Sequence, residues 1–273
     1  MTPPSPLGRA DAPIRIVQIT DFHLLADPER TMMGINTEAS FAAVLNATRQ
    51  KHTPVDLVML TGDLVQESTP ATYSRLKRQL AALQAPCYCL PGNHDDPRLI
   101  EQVLAQDNIF FQPRVLLRGW QLICLDSTIP NDPCGYLRKQ QMDLLASFLA
   151  DQPERFALVC LHHSPLPTGS QWLDTMRLGN AEEMFAVLDR YPRVKGVIFG
   201  HVHQALDITR RGMRLLACPS TCFQFKPENG DFALDAVPPG YRWLNLYANG
   251  DIETGVERLD QVPEGLDMAS AGY

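Results

Sequence analysis

Val194-Lys195-Gly196-Val197-Ile198-Phe199-Gly200-His201-Val202-His203 reads as an apolar strand that stops at a glycine and then offers two imidazoles at alternate positions. Packing gives no reason for that ending, because both rings would carry crowded or buried polar nitrogens. Working outward, four more short apolar runs end in the same style. Residues 14–20 lead to Asp21-Phe22-His23, residues 55–61 to Gly62-Asp63, residues 87–91 to Gly92-Asn93-His94-Asp95, and residues 156–161 to His162-His163. Six of the seven histidines fall in these clusters, which scattered histidines would not do. In α/β proteins ligands gather where strands end along one edge of a sheet. The pattern therefore predicts an α/β chain with one polar site, whose candidate metal ligands lie among Asp21, His23, Asp63, Asn93, His94, Asp95, His162, His163, His201 and His203.

Singly, the clusters differ in weight. Asp-x-His places one hard oxygen and one imidazole together, which suits a divalent ion but is weak evidence alone. Asp63 reads equally well as a turn or capping aspartate. A Gly-Asn turn after a strand says more, since it exposes an amide oxygen and an imidazole in one loop. The ordered set together reads as a two-metal hydrolase.

Between the clusters the chain alternates strand and helix. A helix with Thr37 as its expected N-cap carries Phe41, Val44 and Leu45 on one face. Another opens at Ser68-Thr69-Pro70, with proline in the first turn. Further helices are expected from Pro97, over 138–151 and over 181–190. Strands are expected at 114–118 and 121–126, and after His203 at 206–209, 213–217, 241–247 and 252–258. Two mixed sheets flanked by helices are the natural architecture. Residues 1–12 are proline-rich and offer nothing to bury, so they read as a disordered leader before a single domain over 13–273.

Composition excludes some partners. A net charge of −7, with no Lys/Arg run longer than Lys77-Arg78 or Arg210-Arg211, gives no electrostatic footprint for tracking nucleic acid. With no apolar run of membrane-spanning length and no apolar core near Met1, a cytoplasmic protein without membrane attachment is expected. The seven cysteines read as reduced thiols, four of them inside apolar runs. His52 belongs to no cluster and reads as a surface residue.

With these motifs in this order, the chain resembles the calcineurin-like metallophosphoesterases and, within them, the bacterial 3′,5′-cyclic AMP phosphodiesterases. The likeness runs from Ile14 to Tyr273 and includes Gln18 to His23, Pro86 to Asp95, His162 to Pro167, Trp172-Leu173-Asp174, Pro219 to Cys222, Gln224 to Pro227 and the closing Ala269 to Tyr273. Phe22, where polar residues are common, and Ser164 depart from the pattern without touching ligation. The resemblance implies a four-layer αββα sandwich and two metal ions bridged by a carboxylate and a hydroxide. Asp21, His23, Asp63 and His203 would hold one ion, Asp63, Asn93, His162 and His201 the other, with Asp63 as the bridge. Of the adjacent histidines, His162 matches the ligand position, and strand alternation sends His163 elsewhere. Fe2+ or Mn2+ is the first expectation, with Zn2+ and Co2+ as alternatives, since mixed N/O ligation suits all four.

The implied reaction is hydrolysis of 3′,5′-cyclic AMP to 5′-AMP. A ribose 3′-oxygen leaves poorly unless protonated, so His94, beside a ligand but not one, is the candidate general acid, with Asp95 to orient it. His94 and Asp63 are thus the expected catalytic residues. His23, Asp63, Asn93, His94 and His203 would surround the phosphate, with Trp172–Asp174 and Ser220–Phe225 near the sugar or base. Trp172 or Phe223 could stack on adenine or equally belong to the core. A broader phosphodiesterase, acting on 2′,3′-cyclic nucleotides or glycerophosphodiesters, is the runner-up. A non-catalytic metal-binding scaffold is disfavoured because no ligand and no His94 is missing. Oligomeric state is not legible.

Overall fold

A computed structural model describes residues 12–52 and 54–272. The expected leader therefore lies, apart from Ala12, outside the described residues, as does Tyr273. Two six-stranded sheets carry the fold. In the first, Ile14–Ile19, Leu57–Thr61, Cys87–Leu90 and Ile109–Phe110 run parallel side by side, and the antiparallel pair Gly240–Leu246 and Ile252–Arg258 extends the other edge. In the second, Trp120–Cys124, Phe156–Cys160, Val194–Phe199 and Met213–Ala217 are parallel neighbours. Antiparallel edge strands Arg114–Leu117 and Leu206–Arg210 close that sheet on both sides.

Strand alternation explains the layering. Ile14, Ile16, Leu57 and Met59 point one way and meet Leu158, Cys160 and Ile198 of the second sheet in a shared core. Val17, Ile19, Val58 and Leu60 point the other way, onto Phe41, Val44, Tyr73 and Leu76 of helices Thr37–His52 and Pro70–Leu80. On the far side, Val159, Val197 and Phe199 receive Leu145, Leu149, Met184 and Phe185 of helices Lys139–Asp151 and Ala181–Leu188. The order is helix, sheet, sheet, helix, as the resemblance implied. Near their C-terminal ends the sheets are pinned by Gln18, whose amide Nε2 donates to Thr61 Oγ1 and to the Phe199 carbonyl, both at 3.0 Å. All five strands that precede the polar clusters thus end at one rim.

Two local expectations change. Thr37 starts the first long helix, but Asn36 caps it, its side-chain oxygen accepting from Ala39 N at 2.8 Å. His52 is half-buried rather than on the surface: its ring packs on Trp243 and edge-on to Tyr241, with centroids 6.0 and 5.5 Å away. Thr69 caps the second helix with proline in its first turn, as expected. All seven cysteines are free, and six are buried. Among the described residues no helix is long and apolar enough to cross a membrane.

Candidate metal centre and the cavity beside it

The rim brings all seven expected ligands together. Asp63 Oδ2 lies 3.2 Å from His162 Nε2 and 3.8 Å from His23 Nε2. His203 Nε2 stands 3.4 Å from Asp21 Oδ1 and 3.1 Å from His23 Nε2. Asn93 Oδ1 is 3.2 Å from His162 Nε2. His201 donates its backbone N–H to Asp21, while its buried Nε2 has no partner. Asp21, His23, Asp63, His162, His201 and His203 are at most 6% exposed.

Reaching this geometry distorts the backbone. Asp21, His23, Asp63, His201 and His203 all have φ between 48 and 68°. They are five of the eleven non-glycine residues in the left-handed region among those described, and such departures cluster at functional sites. Close approach also explains two motif glycines. A Cβ on Gly92 would stand 2.2 Å from Asp63 Oδ1, and one on Gly200 2.2 Å from Thr20 Oγ1.

Hydrogen bonding turns the rings toward a cation. His162 Nδ1 faces the Thr61 carbonyl and His203 Nδ1 the Phe223 carbonyl, each at 2.8 Å, and His23 Nδ1 faces Gln66 Oε1 at 2.8 Å. An acceptor holds a proton on Nδ1 and aims Nε2 inward, as a lone pair once the ring is neutral, the arrangement that orients metal-bound histidines. The His23 and His203 Nε2 lone pairs would then confront each other at 3.1 Å, which two neutral rings do not favour. An ion between them removes the conflict, and the unpartnered His201 Nε2 makes the same demand. Asp21, His23 and His203 form one group, and Asp21, Asp63 and His162 another, whose ligand atoms lie within 4.8 Å of one another; His163 joins His162 and His201, and His94 joins His23 and Asp63, at the same spacing. The donor set, two carboxylates, an amide oxygen and four imidazoles, fits divalent metal ions.

Titration follows from burial and neighbouring charge. Burial lowers His23 to about 3 and holds His201 well below the usual imidazole range, the latter helped by His163 and His162. Burial, the largest single effect, opposes an imidazolium at His162, but the charge and hydrogen bond of Asp63, with Asp21 and the Thr61 carbonyl, together outweigh it and push His162 up to about 9. Reciprocally, Asp63 resists the effect of its own burial because His162 and His94 hold it well below the usual carboxylate range. Without metal, a proton on His162 therefore occupies the place of a cation.

His94 sits half-buried at the mouth, its backbone N–H donating to Asp63 Oδ1 at 3.0 Å and its ring edge-on to His23. Asp95, expected to orient His94, has four other partners. Its carboxylate accepts from Gly92 N, Leu64 N, Val65 N and the Tyr73 hydroxyl at 2.9 to 3.3 Å, so it braces the Asp63 and Asn93 loops against each other. His163 also stays off the ion site, bonded to Ser127 and the Pro133 carbonyl.

Two cavity lobes open beside His94. One, of about 460 Å3, is lined by Asn93, His94 and His201, by the apolar Trp172, Met176, Phe225 and Phe232, and by Asn131, Asp132 and Pro133. The other, of about 580 Å3, is lined by polar groups that include Ser68, Arg98, Asp126 and Arg138. Trp172 thus faces the cavity. Phe223 does not: it is 1% exposed and packs on His23 and His203. Phe225 does both, lining the cavity and stacking on His203 with centroids 4.2 Å apart. Sequence reasoning missed Gln66, Met176, Phe232 and the Asn131–Pro133 wall, for which neither motif nor periodicity gave a signal.

Two layered sheets with ligand-bearing strand ends at one rim define a metallophosphoesterase, and residues 14–205 match the calcineurin-like phosphoesterase family model. The chain belongs to that family. It is 44% identical over 264 residues to the 3′,5′-cyclic adenosine monophosphate phosphodiesterase CpdA of Escherichia coli, covering 96% of each chain. It is 39% identical to the Pseudomonas aeruginosa protein of the same name, again over 96% of each. Among solved structures it resembles a dimetal phosphatase from Danio rerio with TM-score 0.61, covering 91% of this chain and 99% of that one. At 15% identity that likeness speaks for the fold alone.

Proposed function

We propose that this chain hydrolyses 3′,5′-cyclic AMP to 5′-AMP at a centre of two divalent metal ions. Asp21, His23, Asp63 and His203 hold one ion and Asp63, Asn93, His162 and His201 the other, with Fe2+ or Mn2+ ahead of Zn2+ or Co2+. The observation that carries the reading is the convergence of the Nε2 atoms of His23, His162 and His203, with the orphaned His201 Nε2, beside an apolar cavity. When bound, such ions acidify water toward neutrality and neutralise charge developing on phosphoryl oxygens.

The chain's own residues do the rest. The Thr61 and Phe223 carbonyls and Gln66 keep His162, His203 and His23 in the tautomer that presents Nε2. Asn93, His94 and Asp63 border the phosphate, and His94, open to the cavity, delivers a proton to the departing ribose 3′-oxygen. The lobe of about 460 Å3 falls within the usual range for small-molecule sites, roughly 300–1,000 Å3, and its Trp172 and Phe232 offer faces to a base. Similarity to relatives described as cyclic AMP phosphodiesterases supports adenosine as the nucleoside. The chain works as one unit from residue 13 onward, in the cytoplasm.

The second lobe favours a broader reading, since a cyclic diester fills only one side and an open diester could place a substituent in each. Kinetics on 3′,5′-cyclic AMP, 3′,5′-cyclic GMP, 2′,3′-cyclic AMP and glycerophosphodiesters with metal-defined protein separate the two. A kcat/KM highest for 3′,5′-cyclic AMP supports the proposal, and equal or higher values for the others overturn it.

A further inference from the structure

His163 follows His162 directly, yet both of its ring nitrogens are already engaged. Nε2 lies 3.2 Å from the Pro133 carbonyl and Nδ1 2.8 Å from Ser127 Oγ, and the side chain is fully buried. A carbonyl only accepts, so Nε2 carries the proton and the Nδ1 lone pair takes the Ser127 hydroxyl. Ser127 Oγ in turn accepts the His163 backbone N–H at 3.3 Å. No lone pair is left for an ion.

The two partners lie on either side of a turn. Ser127 precedes, and Pro133 belongs to, a hairpin of strands Thr128–Ile129 and Asp132–Gly135, and Asn131 between them has φ of 60°. This hairpin separates the two cavity lobes: Asn131 lines both, Ile129 and Pro130 the polar one, Asp132 and Pro133 the apolar one. So short a two-stranded ribbon is marginal without outside support. Its base is tied down by Tyr136 N donating to the Ser127 carbonyl and Gly179 N to that of Gly135, while His163 takes the carbonyl nearer the tip. The hairpin is also shaped to admit the ring, since a Cβ on Gly135 would stand 2.4 Å from His163 Cγ.

We infer that His163 is a positioning residue that fixes the hairpin over residues 129–133 as the wall against which the nucleoside of the substrate rests. The kinetic half of this inference rests on the cyclic-nucleotide reading above; the structural half does not. A loosened hairpin must be ordered again at each binding event, which weakens binding without touching the chemistry.

Two variants test it from opposite sides. His163→Phe keeps a ring against His162 and His201, whose centroids are 4.9 and 4.8 Å away, but deletes both side-chain hydrogen bonds. Gly135→Ala keeps every hydrogen-bonding group and drives a methyl into the ring. In both, amide hydrogen exchange over residues 128–135 should accelerate about tenfold or more, the equivalent of one net hydrogen bond, with metal content unchanged. KM for 3′,5′-cyclic AMP should rise about tenfold with kcat nearly constant, while hydrolysis of methyl p-nitrophenyl phosphate, which has no nucleoside, should hold. If His163→Phe does not fold, Gly135→Ala and Ser127→Ala carry the test. Unchanged hairpin exchange, or metal loss with an intact hairpin, overturns the inference. If the unaltered protein fails to turn over cyclic AMP, the functional reading falls, and the exchange data still decide the role of His163.

Discussion

The metal cradle and the cavity beside it face the same reaction but are built differently. Asp21, His23, Asp63, His162, His201 and His203 sit at the ends of long, buried strands, are almost inaccessible, and have backbones forced into the left-handed region at five positions. The cavity wall comes from small pieces: Trp172 on the four-residue helix Gln171–Asp174, Asn131 to Pro133 around a short hairpin, and Phe232 in a loop. On the proposed reading, the chemistry is set on the rigid edges of two sheets and selection is left to short segments. The contrast predicts that damage to the cradle removes activity toward every substrate, whereas damage to the cavity separates substrates.

The largest effect belongs to the proposed bridge. Asp63→Ala should lose both ions and roughly 10³-fold or more of kcat/KM, the several kcal/mol such ions contribute, and should lose more than Asp21→Ala. Metal analysis beside kinetics checks this; two tightly bound ions in Asp63→Ala would sink the assignment. Next comes His94, which stands between the two regions. His94→Ala should keep its metals and lose roughly 10²–10⁴-fold on cyclic AMP, but far less on a diester with a phenol leaving group. Equal losses on both would make His94 a binding or structural group.

A paired comparison across the boundary is sharper. Phe225 is 1% exposed and stacked on His203, so Phe225→Ala should destabilise by about 3–5 kcal/mol and depress both substrates. Trp172 is only partly buried, and Trp172→Ala should raise KM for cyclic AMP about tenfold while thermal midpoint and aryl diester turnover stay near parent values. Parallel losses in the two variants would erase the distinction.

The last effect concerns pH. His162 is raised to about 9 in the metal-free protein, so it keeps a proton below that value and must release it on binding metal. His23, lowered to about 3, does not compete near neutrality. Metal affinity should therefore fall about tenfold per pH unit on acidification from pH 8 to pH 6, and a flat affinity would contradict the proposed place of His162.

Strand ends were legible because an apolar run that stops at glycine and a ligand carries its own explanation. Val194–Phe199 has the expected bounds, and Phe156–Cys160 and Ile14–Ile19 each end one residue early. The layering followed from alternation in those same strands. What escaped depends on tertiary contact. Strands of two residues such as Thr128–Ile129 have no periodicity to read. The groups that orient the rings are carbonyls and a glutamine distant in sequence, Thr61 with His162, Phe223 with His203, Gln66 with His23, and backbone carbonyls leave no trace in residue type. Asp95 looked like a partner for its neighbour, yet the backbone N–H groups of Leu64 and Val65 reach it from another strand end. His52 looked exposed because Tyr241 and Trp243 come from far along the chain.

The most direct test is titration of metal-free protein with Mn2+, following bound metal and cyclic AMP turnover in the same samples. Binding should saturate at two ions per chain, with turnover appearing only as the second site fills. Full turnover with one ion or none would contradict the two-metal centre.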